Sequence, residues 1–183
     1  MKKNFLVIVI LFSFFTVKGQ DENVTVLNLY EKKNEVKLNV VAPLFGAFEI
    51  SYERILNKKS SLGVSALSVF NSKSSDDDLN HSISSYYRRY FGKKYASGFF
   101  VEGFGMLSSI DGKKMADTDG NLTLNEGSDV IDFSIGLGIG NKWVTKSGFV
   151  FEVNAGYGKL LFNANETDHT IVTRFGFSLG YRF

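Results

Sequence analysis

Residues 171–183 read IVTRFGFSLGYRF and alternate strictly in side-chain character. One set of alternate positions is mostly apolar: Ile171, Thr173, Phe175, Phe177, Leu179, Tyr181 and Phe183. The other set is small or charged: Val172, Arg174, Gly176, Ser178, Gly180 and Arg182. Because successive side chains on a strand point to opposite faces, this pattern predicts a strand with one apolar face and one small, charged face. Such a strand fits between lipid and the filled interior of a narrow barrel.

The same alternation recurs along the chain, most clearly in residues 131–140, which read IDFSIGLGIG. About eight strand-like segments follow one another, and none carries a sustained helical period. From the second segment onward, short and long connections alternate, as in barrels with short periplasmic turns and longer external loops. The sequence therefore predicts an all-β fold, an antiparallel up-and-down transmembrane β-barrel of about eight strands. The strand phase of residues 82–107 stays open, because Arg88 and Arg89 are adjacent and Glu102 shares a face with Phe100 and Phe104.

Composition excludes several classes of function. The chain has 183 residues, which is one domain's worth, and its net charge of +2 gives no reason to expect a nucleic acid partner. Cysteine is absent, so disulfides, thiolate metal sites and a lipid-modified cysteine anchor are excluded. No cofactor and no metal site are expected.

Residues 1–19 resemble a secretory signal peptide. Lys2 and Lys3 precede an apolar run over residues 5–15, and the small residues Val17 and Gly19 precede a cleavage point at Gln20. The run is too short for a comfortable membrane-spanning helix, which argues against a permanent anchor. We therefore expect a signal peptide over 1–19, a periplasmic segment over 20–33 and the barrel over 34–183.

A soluble, lipocalin-like lipid carrier would show the same pattern turned inside out. Three features favour the membrane form. The polar face is rich in glycine, which a water-facing strand does not need. Aromatic residues cluster near the predicted periplasmic end, as in an interfacial girdle: Phe91, Tyr95, Trp143, Phe149, Tyr181 and Phe183. Charges of both signs lie on the polar face and predict a paired network inside the barrel: Glu49, Glu53, Glu152, Arg174 and Arg182.

Several short segments carry a family resemblance: KGQ at 18–20, GAFEISYER at 46–54, YFGKK at 90–94 and LGYRF at 179–183. Together they resemble a family of small outer-membrane barrels from Bacteroidota that carries the domain of unknown function numbered 3575. The chain is more loosely similar to OmpA/OmpX-like eight-stranded barrels. The resemblance implies an outer-membrane location and insertion by the Bam machinery, with Tyr181 and Phe183 as the insertion signal. It implies no catalytic residues.

An eight-stranded barrel is only wide enough for its own side chains, so a diffusion pore is not expected. We expect a non-enzymatic protein with a structural or adhesion/binding role through its external loops, in contact with outer-membrane lipid and lipopolysaccharide. One alternative is a rim enzyme acting on lipid or peptide, with His81, His169 and Asp168 near Ser82 or Ser84. The acidic residues 76–78 and the Asp-Gly segment 117–126 fit solvated loops better than metal sites.

Overall fold

The computed structural model describes residues 32–70, 79–110, 130–162 and 170–183. The predicted signal peptide, most of the predicted periplasmic segment and the acidic segments 76–78 and 117–126 lie outside these ranges. Within them, no helix is both long and apolar enough to cross a membrane.

The described residues form a closed barrel of eight strands in sequential order. The strands are β1 (Asn34–Asn39), β2 (Ala47–Asn57), β3 (Ser60–Val69), β4 (Leu79–Tyr90), β5 (Gly98–Ile110), β6 (Val130–Val144), β7 (Phe149–Leu160) and β8 (Ile171–Arg182). Each strand pairs antiparallel with its neighbours, and β1 closes the barrel against β8. The predicted all-β, up-and-down antiparallel barrel is thus confirmed.

The two ends of the barrel differ in their connections. One end, called here the terminal end, holds Asn34, Phe183 and the short turns at 58–59, 91–97 and 145–148. The opposite end, called the loop end, holds the connections at 40–46, 70–78, 111–129 and 161–170. The first of these contains a 3-10 helix, Ala42–Phe45, which ends at Gly46 in the left-handed region at φ 72°. This is the compact turn that Pro43 and Gly46 predict.

A short hydrogen-bonded seam joins β1 to β8. The register runs from Glu35 opposite Arg182 to Asn39 opposite Ser178. At the terminal end, the Asn34 amide donates to the Phe183 carbonyl at 3.0 Å, and the Phe183 amide donates to the Asn34 carbonyl at 2.8 Å. At the terminal end, both strand edges are therefore paired as far as Asn34 and Phe183, whereas β8 extends past β1 at the loop end.

The outer surface of the barrel is apolar, whereas its interior holds the charged and small side chains together with buried clusters of apolar and aromatic ones. Outward side chains such as Leu137, Ile83 and Phe175 are 70%, 65% and 62% exposed. This is the reverse of a lipocalin, in which the apolar side chains point inward. The structure also resolves the phase of β4 and β5: Arg88 and Glu102 point inward, while Arg89 points outward.

Two aromatic rings of β5, Phe100 and Phe104, are buried inside the barrel, as are Tyr86 and Tyr90 of β4. Glycines at the paired positions of the neighbouring strand β6 make room for these two phenylalanine rings. A Cβ on Gly136 would lie 2.3 Å from Phe104 Cζ, and one on Gly140 would lie 2.4 Å from Phe100 Cζ. These two glycines therefore accommodate aromatic rings inside the barrel.

We predict that Gly136→Ala destabilises the barrel by about 1–3 kcal/mol, because the added methyl overlaps Phe104 and the neighbouring backbone. Gly103→Ala is the matched control, since a Cβ at Gly103 meets nothing within 4 Å. Denaturant unfolding of protein folded in phospholipid vesicles, followed by the fluorescence of Trp143, measures both variants. Equal stability of the two variants would contradict the packing argument.

Candidate functional site: the interior charge network and the cavity above it

Eight charged side chains are buried together in the half of the barrel nearer the terminal end. This interior charge network consists of four carboxylates and four cations: Glu35, Glu53, Glu102, Glu152, Lys37, Arg88, Lys142 and Arg182. Each residue is at most 2% exposed. Because an unpaired buried charge costs several kcal/mol, the equal numbers of opposite charges make this interior possible.

Glu53 on β2 lies at the centre of the network. Its carboxylate lies 2.6 Å from Lys37 Nζ, 2.6 Å from Lys142 Nζ and 2.8 Å from Arg88 Nη1. It also accepts a hydrogen bond from the Tyr90 hydroxyl at 2.6 Å. Glu53 on β2 thus links strands β1, β4 and β6 through side-chain contacts between residues that are far apart in the sequence.

The other members of the network complete the pairing. Lys37 Nζ lies 2.7 Å from Glu152, and Lys142 Nζ lies 2.7 Å from Glu35. Arg88 Nε donates to Glu102 at 2.6 Å. The Arg88 guanidinium also stacks between two rings, with its Cζ 4.2 Å from the Tyr86 ring centroid and 4.4 Å from that of Phe100. Its position is therefore fixed by both charge and packing.

The turn at 91–97 folds under the network and closes the terminal end. Arg182 donates to the carbonyls of Tyr95 and Ala96 at 3.0 Å and 2.8 Å, and its guanidinium lies 2.6 Å from Glu35. The Ala96 amide donates to the Lys58 carbonyl at 2.8 Å. Ala96 is fully buried against Ile55, Tyr90 and Phe100, with Tyr95 packed alongside. Tyr95 therefore belongs to this seal and not to the predicted girdle.

A cavity of about 260 Å³ lies above the network, towards the loop end. Its polar lining includes Asn39, Glu49, Ser82, Ser84, Asn154 and Arg174, and most of its other lining residues are apolar. Arg174 Nη1 donates to Glu102 at 3.1 Å, and its Nη2 lies 3.8 Å from Glu49. Asn154 Oδ1 is buried and makes no hydrogen bond among the described residues. The loop half thus offers space and polar atoms, whereas the terminal half is filled.

All five residues that the sequence predicts for the interior network point into the barrel. Glu53, Glu152 and Arg182 lie within the charge network, whereas Glu49 and Arg174 line the cavity. Sequence reasoning missed five members: Glu35, Lys37, Arg88, Glu102 and Lys142. Glu35 and Lys37 alternate with the apolar residues Val36 and Leu38, and extending the alternation of residues 131–140 by two positions finds Lys142. Arg88 and Glu102 lie in the segment of open phase.

The structure separates the side chains of the rim-enzyme alternative. His81 is exposed on the outer face of β4, whereas Ser82 and Ser84 are buried on its inner face. Asp168 and His169 lie outside the described residues. Among the described residues, no group of three or more His, Asp or Glu side chains is arranged to hold a metal ion.

Aromatic side chains surround the outer surface near the terminal end. Tyr181 and Phe183, the predicted insertion signal, are 42% and 50% exposed there. Tyr181 packs edge-on against Phe149, with ring centroids 5.7 Å apart. Lys32 Nζ lies 5.3 Å from the Tyr181 ring centroid. Aromatic and basic side chains thus meet in one band.

A closed eight-stranded barrel with an apolar exterior and a charged interior defines the class of small barrels of the outer-membrane type. The N-terminal β-barrel domain of Pseudomonas aeruginosa OprF has this fold, with a TM-score of 0.57, 13% identity, and coverage of 83% of this chain and 98% of that one. The Yersinia pestis outer membrane protein Ail gives a TM-score of 0.42, 17% identity, and coverage of 83% and 99%.

The chain belongs to the family described as "Protein of unknown function (DUF3575)", whose model matches residues 5–181. This confirms the family that the short motifs indicated. No curated protein matches the sequence.

We predict that Glu53→Gln destabilises the barrel by about 3–5 kcal/mol, because it leaves buried positive charge uncompensated. Lys142→Met should cost a similar amount for the opposite reason. The double variant restores equal numbers of charges, so its loss should be smaller than the sum of the single losses. Unfolding in vesicles measures all three variants. Glu49→Gln is the matched control, since Glu49 is partly accessible and lies 3.8 Å from Arg174; additive losses in the double variant would contradict this prediction.

Proposed function

We propose that this chain is an outer-membrane barrel that serves as a sealed, non-enzymatic scaffold and acts through its loop end. The observation that carries the proposal is the combination of an apolar outer surface with an interior filled by paired charges. Outward residues in the middle of β6, Ile135, Leu137 and Ile139, are 52%, 70% and 55% exposed. Water would not stabilise such a surface, whereas lipid would.

The orientation follows from the connections. Outer-membrane barrels carry short turns on the periplasmic side and longer loops outside. We therefore assign the terminal end to the periplasm and the loop end to the exterior. A signal peptide over residues 1–19, insertion by the Bam machinery, contact with lipopolysaccharide and an origin in Bacteroidota remain predictions that accompany this assignment.

The filled terminal half argues against a diffusion pore. An ion crossing the barrel would have to displace the charge network around Glu53 and the turn that holds Ala96. The residues that line the cavity include Arg174 and Glu49 but no member of the charge network. A structural or binding role at the loop end is therefore the function that this geometry supports best.

We predict that the folded protein migrates on gels at a position that shifts on boiling, and that it floats with phosphatidylcholine vesicles after refolding. Recovery in the aqueous fraction would overturn the membrane assignment.

In planar bilayers, the inserted protein should give no large, stable conductance, because the charge network closes the path. A general porin in the same bilayers is the positive control, and steady conductance from this protein would refute the sealed scaffold.

We predict that deleting Phe183 reduces the outer-membrane level of the protein severalfold. The deletion removes both the terminal aromatic side chain and the two backbone bonds to Asn34. Phe183→Ala separates these effects, since it keeps the backbone pair and loses only the ring. If the ring is the insertion signal, both variants should be lost from the membrane fraction in cells. Normal levels of Phe183→Ala would show that only barrel closure matters at this position.

A further inference from the structure

The terminal end carries a concentration of exposed positive charge that the scaffold role does not require. The three short turns at 58–59, 91–97 and 145–148 contain five lysines and no Asp or Glu. With one lysine that precedes β1, they form a basic ring: Lys33, Lys58, Lys59, Lys93, Lys94 and Lys146. Every side-chain carboxylate of the described residues instead points into the barrel.

Charge is distributed unequally between the two ends of the molecule. The segments 71–78, 111–129 and 163–169, which connect strands at the loop end, contain ten Asp and Glu residues and three Lys residues. The interior charge network between the ends is balanced. In the sequence, the loop-end segments are therefore acidic, whereas the turns of the terminal end are basic.

Two arginines extend the basic ring up the outer wall of the barrel. Arg54 and Arg89 are exposed on the outward faces of β2 and β4, a few residues from the terminal end. Arg54 lies opposite Leu62, and Arg89 lies opposite Val101 on the neighbouring strand. A soluble polyanion could contact the lysines at the tips of the turns. The two arginines instead lie on the outward strand faces, where they contact the medium that surrounds the barrel wall. Long basic side chains in this position place their charge at the level of lipid headgroups.

We propose that the terminal end binds anionic phospholipid headgroups of the surrounding leaflet through the basic ring, Arg54 and Arg89. The proposal rests on the membrane location proposed above. Aromatic side chains that include Trp143, Phe149 and Tyr181 form the apolar border of this band, and Lys32 lies against the Tyr181 ring. Lipid phosphates next to this border would contact the lysines and arginines of the terminal end. They would contact no carboxylate side chain of the described residues, since those all point into the barrel. Clusters of basic residues next to a membrane attract anionic lipids in this way.

The test compares lipid selectivity in two variants that lose the same charge. The first, Lys58, Lys59, Lys93 and Lys94→Gln, removes four positive charges from the terminal end. The second, Lys73, Lys113, Lys114 and Lys159→Gln, removes four from the loop-end segments and the adjoining end of β7. Each protein is refolded in mixed phosphatidylcholine and phosphatidylglycerol vesicles, and spin-labelled analogues of both lipids report their relative association with it.

We expect the wild-type preference for phosphatidylglycerol to fall on the order of fivefold in the first variant, and to stay close to the wild-type value in the second. High salt should reduce the preference of the wild type as well. An unchanged preference in the first variant, or an equal loss in both, would overturn the proposal. So would binding to purified peptidoglycan that the first variant loses, without any lipid preference.

Two controls keep the outcomes distinguishable. All proteins are first folded in pure phosphatidylcholine, where boiling-dependent migration reports insertion without anionic lipid. Failure of the wild type at this stage refutes the membrane location, whereas insertion without lipid selectivity refutes only the basic ring. If the first variant does not fold, the pair Arg54→Gln and Arg89→Gln replaces it, with a smaller loss of preference expected.

Discussion

The hydrogen-bonded seam between β1 and β8 is the constraint on which the other features of the barrel depend. An open sheet would leave two unpaired backbone edges, which a lipid environment does not tolerate. Closure brings Glu35 opposite Arg182 and Lys37 within 2.7 Å of Glu152, partners 147 and 115 positions away in the chain. The seam thus encloses the interior of the barrel. It also brings Glu35 and Lys37 to the oppositely charged side chains with which they pair.

The interior charge network is better understood as a device for register than as a source of stability. Replacing buried ion pairs by apolar residues is often neutral, so the pairs need not contribute net free energy. A slip of one residue between strands, however, would turn Glu53 or Arg88 to the apolar outer face and leave its partners unpaired. The described residues that line the cavity include one cation, Arg174, so a slip of register would break fewer buried ion pairs at the loop end.

The sequence predicts the architecture well because alternation with a period of two is nearly unbroken in residues 131–140 and 171–183. It fails where neighbouring residues are alike. Tyr86–Tyr87, Arg88–Arg89 and Phe99–Phe100 look the same in either phase. Contacts across the barrel distinguish the two phases, such as those of Arg88 with Glu53 and Glu102. The position of Tyr95 depends on how the turn at 91–97 folds under the barrel. The cavity depends on side-chain volumes from several strands, which no local pattern encodes.

The meeting of Asn34 and Phe183 makes the order of strands along the chain partly arbitrary. Because these residues hydrogen-bond to each other, a brief linker could join the two ends, and the chain could be opened instead within a loop-end connection. Such a circular permutant would keep every strand pair and every buried ion pair, yet its last strand would no longer be β8. The hydrogen bonding of the closed barrel defines no first or last strand; only the covalent order of the chain does.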